Sequence, residues 1–146
     1  KYTALERFAR RHNITFVIPQ RVYAELGGAP DRSTPGQTPI NSAIDAGWVT
    51  VADDPDYTNS TVSRVMDSVR RYIADSSNRS EDHIEKADTA LGAVAVNCLL
   101  NRDAEFVVVA TTDTDAGEGV VAALDANGFE DRARFKDGFE LIDEIT

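Results

Sequence analysis

The feature that most constrains the fold is the alternation of short, branched apolar runs with segments that carry a helical stripe. The most apolar run, residues 106–110 (FVVVA), is typical of a buried strand, and residues 14–18 form a second such run. This alternation predicts an α/β protein with a mainly parallel sheet and right-handed crossovers that cover both faces. The length predicts one domain, residues 1–146, with a single core.

Periodicity and turn residues predict the order of the elements. Helices are expected at residues 2–11, 19–27, 38–47, 60–75, 82–100 and 115–127, and strands at 14–18, 48–52, 105–110 and 133–135. Residues 139–145 stay undecided between helix and strand. The long fourth helix is expected to start at a cap on Asn59 or Ser60 and to pack through Val62, Val65, Met66, Val69, Tyr72 and Ile73.

The charge balance adds a second constraint. The chain carries 25 acidic and 15 basic residues, a formal net charge of −10. Such a surface repels itself in dilute buffer and is screened in molar salt, where the Debye length falls to about 3 Å. We therefore predict adaptation to high salt, which weakens the argument from acidity against a nucleic-acid partner. A generic acidic protein is the alternative.

Cysteine usage and hydropathy bear on location. The single cysteine, Cys98, excludes an internal disulfide and argues against a cysteine zinc site, so a reducing cytoplasm is the expected compartment. No run approaches the roughly 18 apolar residues that span a bilayer, and no membrane partner is expected.

Four carboxylates stand where a domain of this kind usually carries neutral side chains: Glu25, Asp88, Asp113 and Asp115. A carboxylate beside apolar residues is costly unless a cation or hydrogen-bond donors compensate it. Several carboxylates that converge on one point are most simply explained by a divalent metal ion. The carboxyl end of the 105–110 strand, which two of them follow, is where ligand sites gather in open α/β sheets.

Each of these acids also has a structural interpretation. Glu25 fits a solvated helix position, and Asp88, within an inward stripe and beyond the expected first helical turn, fits a buried polar group held by a neighbour. Asp115 is predicted to cap the following helix together with Glu118. Asp113 has no equally simple structural role, which makes it the stronger candidate of the two acids after the strand.

Three segments, in this order, resemble the PIN domain family of metal-dependent nucleases. Residues 16–26 (FVIPQRVYAEL) resemble its strand, proline and glutamate-bearing helix, and residues 86–95 (KADTALGAVA) resemble its aspartate-bearing helix. Residues 107–115 (VVVATTDTD) resemble its strand that ends in Thr-x-Asp. The resemblance covers most of the chain and implies a Rossmann-like three-layer sandwich.

The resemblance also implies an activity, the hydrolysis of RNA phosphodiester bonds with Mg²⁺ or Mn²⁺. Asp88 and Asp113 are then expected to ligate the metal, and Glu25 and Asp115 to ligate it or to position its ligands. The arginines that could meet the RNA backbone are Arg21, Arg64, Arg70 and Arg71, although exposed helix arginines are more often only solvated.

One part of the family pattern has no counterpart in the sequence. PIN domains begin with a central strand that ends in an aspartate, and nothing before the first helix matches it. Without that strand its two neighbours would be left as unpaired edges. We therefore expect the strand and its aspartate upstream of Lys1.

Two other functions stay open. A non-catalytic PIN-like module would bind RNA or a protein partner, and an absent first aspartate would favour it. Asp113-Thr114-Asp115 is also similar to the Asp-x-Asp of haloacid-dehalogenase-like phosphatases, but that motif belongs near a chain start, and only Lys136 follows as a lysine. The family includes toxins of toxin–antitoxin pairs and RNA-processing factors, so an antitoxin protein and a second copy of the chain are further expected partners.

Overall fold

The computed structural model describes residues 2–27, 39–80, 84 and 86–146. Its helices are α1 (Tyr2–His12), α2 (Gln20–Glu25), α3 (Pro39–Asp45), α4 (Ser60–Ser77), α5 (Lys86–Leu100), α6 (Thr114–Ala126) and α7 (Gly138–Ile145). Its strands are β1 (Phe16–Ile18), β2 (Val49–Val51), β3 (Val107–Thr111) and β4 (Ala133–Asp137). The predicted alternation is confirmed, and the undecided segment 139–145 is a helix. The expected beginning of the fifth helix near residue 82 lies outside the described residues.

The chain divides into two compact units, Lys1–Asp54 with Ile142–Thr146, and Pro55–Leu141. In the first unit β1 and β2 pair in parallel, with Phe16 beside Val49 and Ile18 beside Val51. The core of this unit is a small cluster around Trp48, whose ring meets that of Phe16 edge-on at 6.1 Å between centroids. Val17 on β1 remains 44% exposed, so this strand is less buried than the sequence predicted.

The second unit is built around α4. Val62, Val65, Val69 and Ile73 are fully buried, which confirms the predicted stripe. Asn59 caps the helix, because its Oδ1 accepts a hydrogen bond from the backbone N–H of Thr61 at 2.8 Å. α5 and α6 pack on α4 and join one apolar core with β3 through residues such as Val96, Val109 and Val120. α5 and α6 therefore pack against β3, and α4 packs on those two helices.

The strands of the second unit, β3 and β4, also pair in parallel, with Val107 beside Ala133 and Thr111 beside Asp137. Both strand pairs of the described chain are thus parallel, which confirms the predicted α/β class. The expectation that residues 106–110 lie in the sheet interior was wrong for three of the five, Phe106, Val108 and Ala110, which are exposed. Val109 is buried, but Phe106 and Val108 are 46% and 59% exposed, because successive side chains of a strand point to opposite faces and helices cover only one.

None of the helices that the structure describes is both long enough and apolar enough to cross a bilayer.

Candidate functional site

The carboxyl end of β3 leads directly into the first turn of α6. Asp113 lies between them as the N-cap, and its Oδ1 accepts a hydrogen bond from the backbone N–H of Ala116 at 3.1 Å. Its own N–H donates to Oγ1 of Thr111 at 3.2 Å. Asp113 is exposed; the first bond holds its side chain, and the second holds its backbone next to the end of β3.

The capping assignment made from the sequence was therefore wrong. Asp115 was expected to cap α6, but it lies inside the first turn and is half-buried, whereas Asp113 is the cap. The reason is that the helix begins at Thr114, one residue earlier than the pattern indicated. A carboxylate at either position is stabilised by the positive end of the helix dipole, so neither acid needs a ligand to account for its presence.

A tyrosine from α4 reaches the same end of α6. The Tyr72 hydroxyl donates a hydrogen bond to Oε2 of Glu118 at 3.1 Å. This bond, with partial burial and the charges of Glu118 and Asp115, raises the pKa of the Tyr72 phenol. Tyr72 thus stays a neutral donor beside two acids, and Glu118 bonds to it instead of completing the predicted capping box.

Two glycines set the position of α6. A Cβ atom at Gly117 would lie 2.2 Å from Cδ1 of Phe135 on β4, and one at Gly119 would lie 3.1 Å from Cδ1 of Tyr72. α6 can approach β4 and α4 this closely only because both positions lack a side chain. The sequence analysis gave Gly117 and Gly119 no role, yet these glycines determine how closely α6 approaches β4 and α4.

Asp88 lies in the first turn of α5, so the expectation that it falls beyond the first turn was wrong. It is half-buried, and its neighbour Thr89 is 4% exposed. The segment 101–106 joins α5 to β3, and the two elements pack together. α5 and α6 both pack against β3 and share one core with it.

Asp137 is an acid that the sequence analysis did not single out. It ends β4 beside Thr111 of β3, and its Oδ1 accepts hydrogen bonds from the backbone N–H groups of Phe139 at 2.8 Å and Glu140 at 3.1 Å. Each strand of the second unit is thus followed by a helix that an aspartate caps: Asp137 ends β4, and Asp113 lies two residues beyond the end of β3. The sequence signal for this cap was the pair Asp137-Gly138 after an alternating run. It was missed because residues 139–145 were undecided between helix and strand.

Glu25 belongs to the first unit, where it is the last residue of α2. It is exposed, and its Oε1 lies 3.8 Å from Nε of Arg21. At this exposure the pair contributes little to stability.

The other candidate arginines make contacts within α4. The Arg70 guanidinium lies 3.0 Å from Oδ1 of Asp67, and an Nη of Arg64 donates to Oγ1 of Thr61 at 3.3 Å. Both contacts are local to one helix turn, as expected of solvated helix residues.

The part of the chain that the structure describes contains no group of three or more His, Cys, Asp and Glu side chains arranged to hold a metal ion. The second unit does bring three acids to the carboxyl edge of the β3–β4 pair. Asp113 and Asp115 lie at the start of α6, and Asp137 lies at the end of the neighbouring strand.

Comparison with known families identifies the chain. The model of the halobacterial PIN domain family matches residues 1–146. No curated protein and no solved structure matches it significantly. The family match agrees with the Rossmann-like three-layer fold and the high-salt origin predicted above, and PIN domains are in general nucleases. The chain therefore belongs to the halobacterial PIN domain family.

Proposed function

We propose that this protein is a Mg²⁺- or Mn²⁺-dependent endoribonuclease whose site lies at the carboxyl edge of β3. The observation that carries the proposal is Asp113, an exposed acid between that strand and α6 in a chain of a nuclease family. Asp115 lies in the first turn of α6, and Asp88 lies in the first turn of α5, a helix that packs against β3. The resemblance implies that Glu25 ligates the metal or positions its ligands, and this role remains a prediction.

The chemistry of the donors fits a small divalent cation. Mg²⁺ prefers oxygen ligands and is commonly bound through one or two carboxylates, with water and substrate phosphate completing its shell. Asp113 uses Oδ1 for the cap, and its Oδ2 accepts no hydrogen bond among the described residues. Asp113 and Asp115 would hold the ion, which when bound would lower the pKa of a water and neutralise charge on the scissile phosphate.

The chain itself also favours a phosphate at this edge. The first N–H groups of α6 have no partner within the helix, and the positive end of the helix dipole points toward them. Anions bind readily at such helix ends. Gly117 and Gly119 hold the helix close to β4 and α4, so its first turn and its acids keep a fixed position relative to the sheet. α6 and the elements it packs on would therefore orient the phosphate relative to the two acids.

We further propose that a parallel strand ending in an aspartate pairs with the open edge of β3 within a single PIN domain. The Val107 N–H bonds to the Arg132 carbonyl at 3.0 Å, so the backbone groups of Val108 and Ala110 point away from β4. β3 pairs only with β4 among the described residues, although an apolar edge strand is usually covered. The test is amide hydrogen exchange: the Val108 and Ala110 N–H groups should be protected if a strand pairs with this edge and should exchange fast if it stays open.

A second candidate function is a non-catalytic module that binds RNA or a protein. The observation in its favour is that the described residues hold no three-ligand group for a metal. Such a module would bind single-stranded RNA without cleaving it at any Mg²⁺ or Mn²⁺ concentration.

Cleavage of a labelled RNA during a Mg²⁺ and Mn²⁺ titration in molar KCl tests the proposal. Asp113→Asn keeps an efficient helix cap and removes the charge, so we expect the fold to persist and cleavage to fall by at least about 100-fold. Asp125→Asn, an exposed substitution late in the same helix, is the matched control and should cleave normally. Equal cleavage by the two variants, or no metal dependence, would contradict the proposal.

A further inference from the structure

Glu118 is an acid near the start of α6 to which the proposed function gives no role. It lies three residues after Asp115, and side chains at that spacing are neighbours on a helix surface, with about 5–6 Å between their Cβ atoms. Glu118 is exposed, so its carboxylate has room to turn toward that of Asp115. The contact that holds it elsewhere is a hydrogen bond from another helix.

That hydrogen bond comes from Tyr72 of α4, whose hydroxyl donates to Oε2 of Glu118 at 3.1 Å. The Tyr72 ring meets α6 at Gly119, where an added Cβ atom would lie 3.1 Å from its Cδ1. Because α6 has no side chain there, the ring packs directly on the helix, and its hydroxyl has a fixed position beside Glu118. The bond to Glu118, partial burial and the charges of Glu118 and Asp115 raise the pKa of the phenol, so the hydroxyl remains a donor. The Glu118 carboxylate is thereby tied to α4.

The number of carboxylates at a site bears on which cation it prefers. Mg²⁺ is small, requires near-octahedral geometry and is usually bound through one or two carboxylates while it keeps several waters. Ca²⁺ accepts more oxygen ligands in a flexible geometry, and its affinity depends on how many of them are charged. The proposed pair, Asp113 and Asp115, therefore suits Mg²⁺, whereas a third carboxylate from Glu118 would favour Ca²⁺.

We propose that Tyr72 sets the metal selectivity of the nuclease site by withholding Glu118 from it. This inference rests on the proposed function, since it concerns the cation that Asp113 and Asp115 would hold. Tyr72 acts through Glu118 and not on the cation itself, so it is a positioning residue. With the hydroxyl bond in place α6 offers the cation two carboxylates, and without the bond it offers three.

The first test is calorimetric titration of MgCl₂ and of CaCl₂ into the metal-free protein in 2 M KCl, without RNA. Tyr72→Phe keeps the ring on Gly119 and removes only the hydroxyl, so the fold should persist. We expect this variant to bind Ca²⁺ about tenfold more tightly than the parent chain and Mg²⁺ with little change, because Ca²⁺ accepts the added ligand more readily. Tyr57→Phe, at an exposed tyrosine of the same unit, is the matched control and should bind both ions like the parent.

The second test asks whether the effect of Tyr72→Phe depends on the Glu118 carboxylate. Glu118→Gln removes the charge and keeps a carbonyl oxygen that can accept the Tyr72 hydroxyl. In the Glu118→Gln background, Tyr72→Phe should therefore leave the Ca²⁺ affinity unchanged. A purely structural role of Tyr72 would lower the melting temperature of the metal-free chain without altering the ratio of Ca²⁺ to Mg²⁺ affinity. An unaltered ratio in Tyr72→Phe, or a gain in Ca²⁺ affinity that survives Glu118→Gln, would overturn the inference.

The two proposals can fail separately. If Mg²⁺ supports cleavage that Asp113→Asn abolishes, while Tyr72→Phe keeps the affinity ratio of the parent chain, the nuclease stands and the selectivity role is wrong. If Tyr72→Phe gains Ca²⁺ affinity through Glu118 but no metal supports cleavage, the nuclease proposal fails and Tyr72 still controls the bound cation. If neither the parent chain nor Tyr72→Phe binds a divalent cation, both fail.

Discussion

Single residues at the candidate edge combine a structural and a chemical role. Asp113, two residues after β3, and Asp137, at the end of β4, each cap the next helix through Oδ1. A cap needs only one carboxylate oxygen, and the other oxygen stays available to a cation or a water. The same acid can therefore serve folding and catalysis, and Asp113→Asn separates the two roles because asparagine caps a helix about as well as aspartate.

Tyr72 gives a prediction about alkaline pH. Its pKa is raised by the bond to Glu118 and by nearby acids, so folding favours the neutral phenol. That contribution is fully present below the unfolded pKa of about 10 and is lost as pH rises through the higher folded value. Tyr72→Phe should therefore show a shallower fall in melting temperature between about pH 9.5 and 11, measured by thermal melts in molar KCl.

The quantity to compare is the difference in melting temperature between the parent chain and Tyr72→Phe. Burial also raises the pKa of the Cys98 thiol, so both chains lose some stability at alkaline pH for that separate reason. Melting curves of the parent chain and Tyr72→Phe that fall in parallel would contradict a bond to Glu118 in solution.

At the scale of elements, α6 depends on contacts that only glycine permits. Gly117→Ala would force a Cβ atom to 2.2 Å from the Phe135 ring, so the ring or the helix must shift. Alanine favours a helix by up to about 1 kcal/mol over glycine, but overpacking costs roughly 1–3 kcal/mol. We expect a net loss of about 1 kcal/mol, measured by urea unfolding in molar KCl, and reduced cleavage because the α6 turn moves.

A double variant tests the cause of that loss. Phe135→Leu removes the ring that the new methyl group meets, so Gly117→Ala should cost less in its presence than alone. Additive losses would show that the glycine matters for a reason other than the Phe135 contact.

At the scale of the whole molecule, the excess of acids dominates. The chain has a formal net charge of −10 over 146 residues. Its acidic groups repel one another and so destabilise the compact state, and salt screens that repulsion. We expect the melting temperature to rise between about 0.1 M and 2 M KCl. The double variant Asp53→Asn with Asp54→Asn, both at exposed positions, should show a smaller rise. A melting temperature that is flat or falls with salt would contradict adaptation to high salt.

Most elements could be predicted because their signals are local. The α4 stripe was found from helical spacing alone: Val62, Val65, Val69 and Ile73 are fully buried, and Met66 and Tyr72 are half-buried. The errors occurred where a signal depends on a neighbouring element. The cap of α6 was misplaced by two residues because Asp113 and Asp115 are both good capping residues, and the residue that caps is the one that precedes the first helical turn.

By itself, the sequence determined the α/β class, the order of helices and strands, the family resemblance and the acidic surface, because these follow from periodicity, composition and short motifs. Only the tertiary structure decided the register of β3 on β4, which sets Asp137 beside Thr111, and the close packing of α6 through Gly117 and Gly119. It also decided that Val108 and Phe139 are exposed. These facts depend on which elements lie next to each other, and no local pattern encodes the distance between residues that are far apart in the chain.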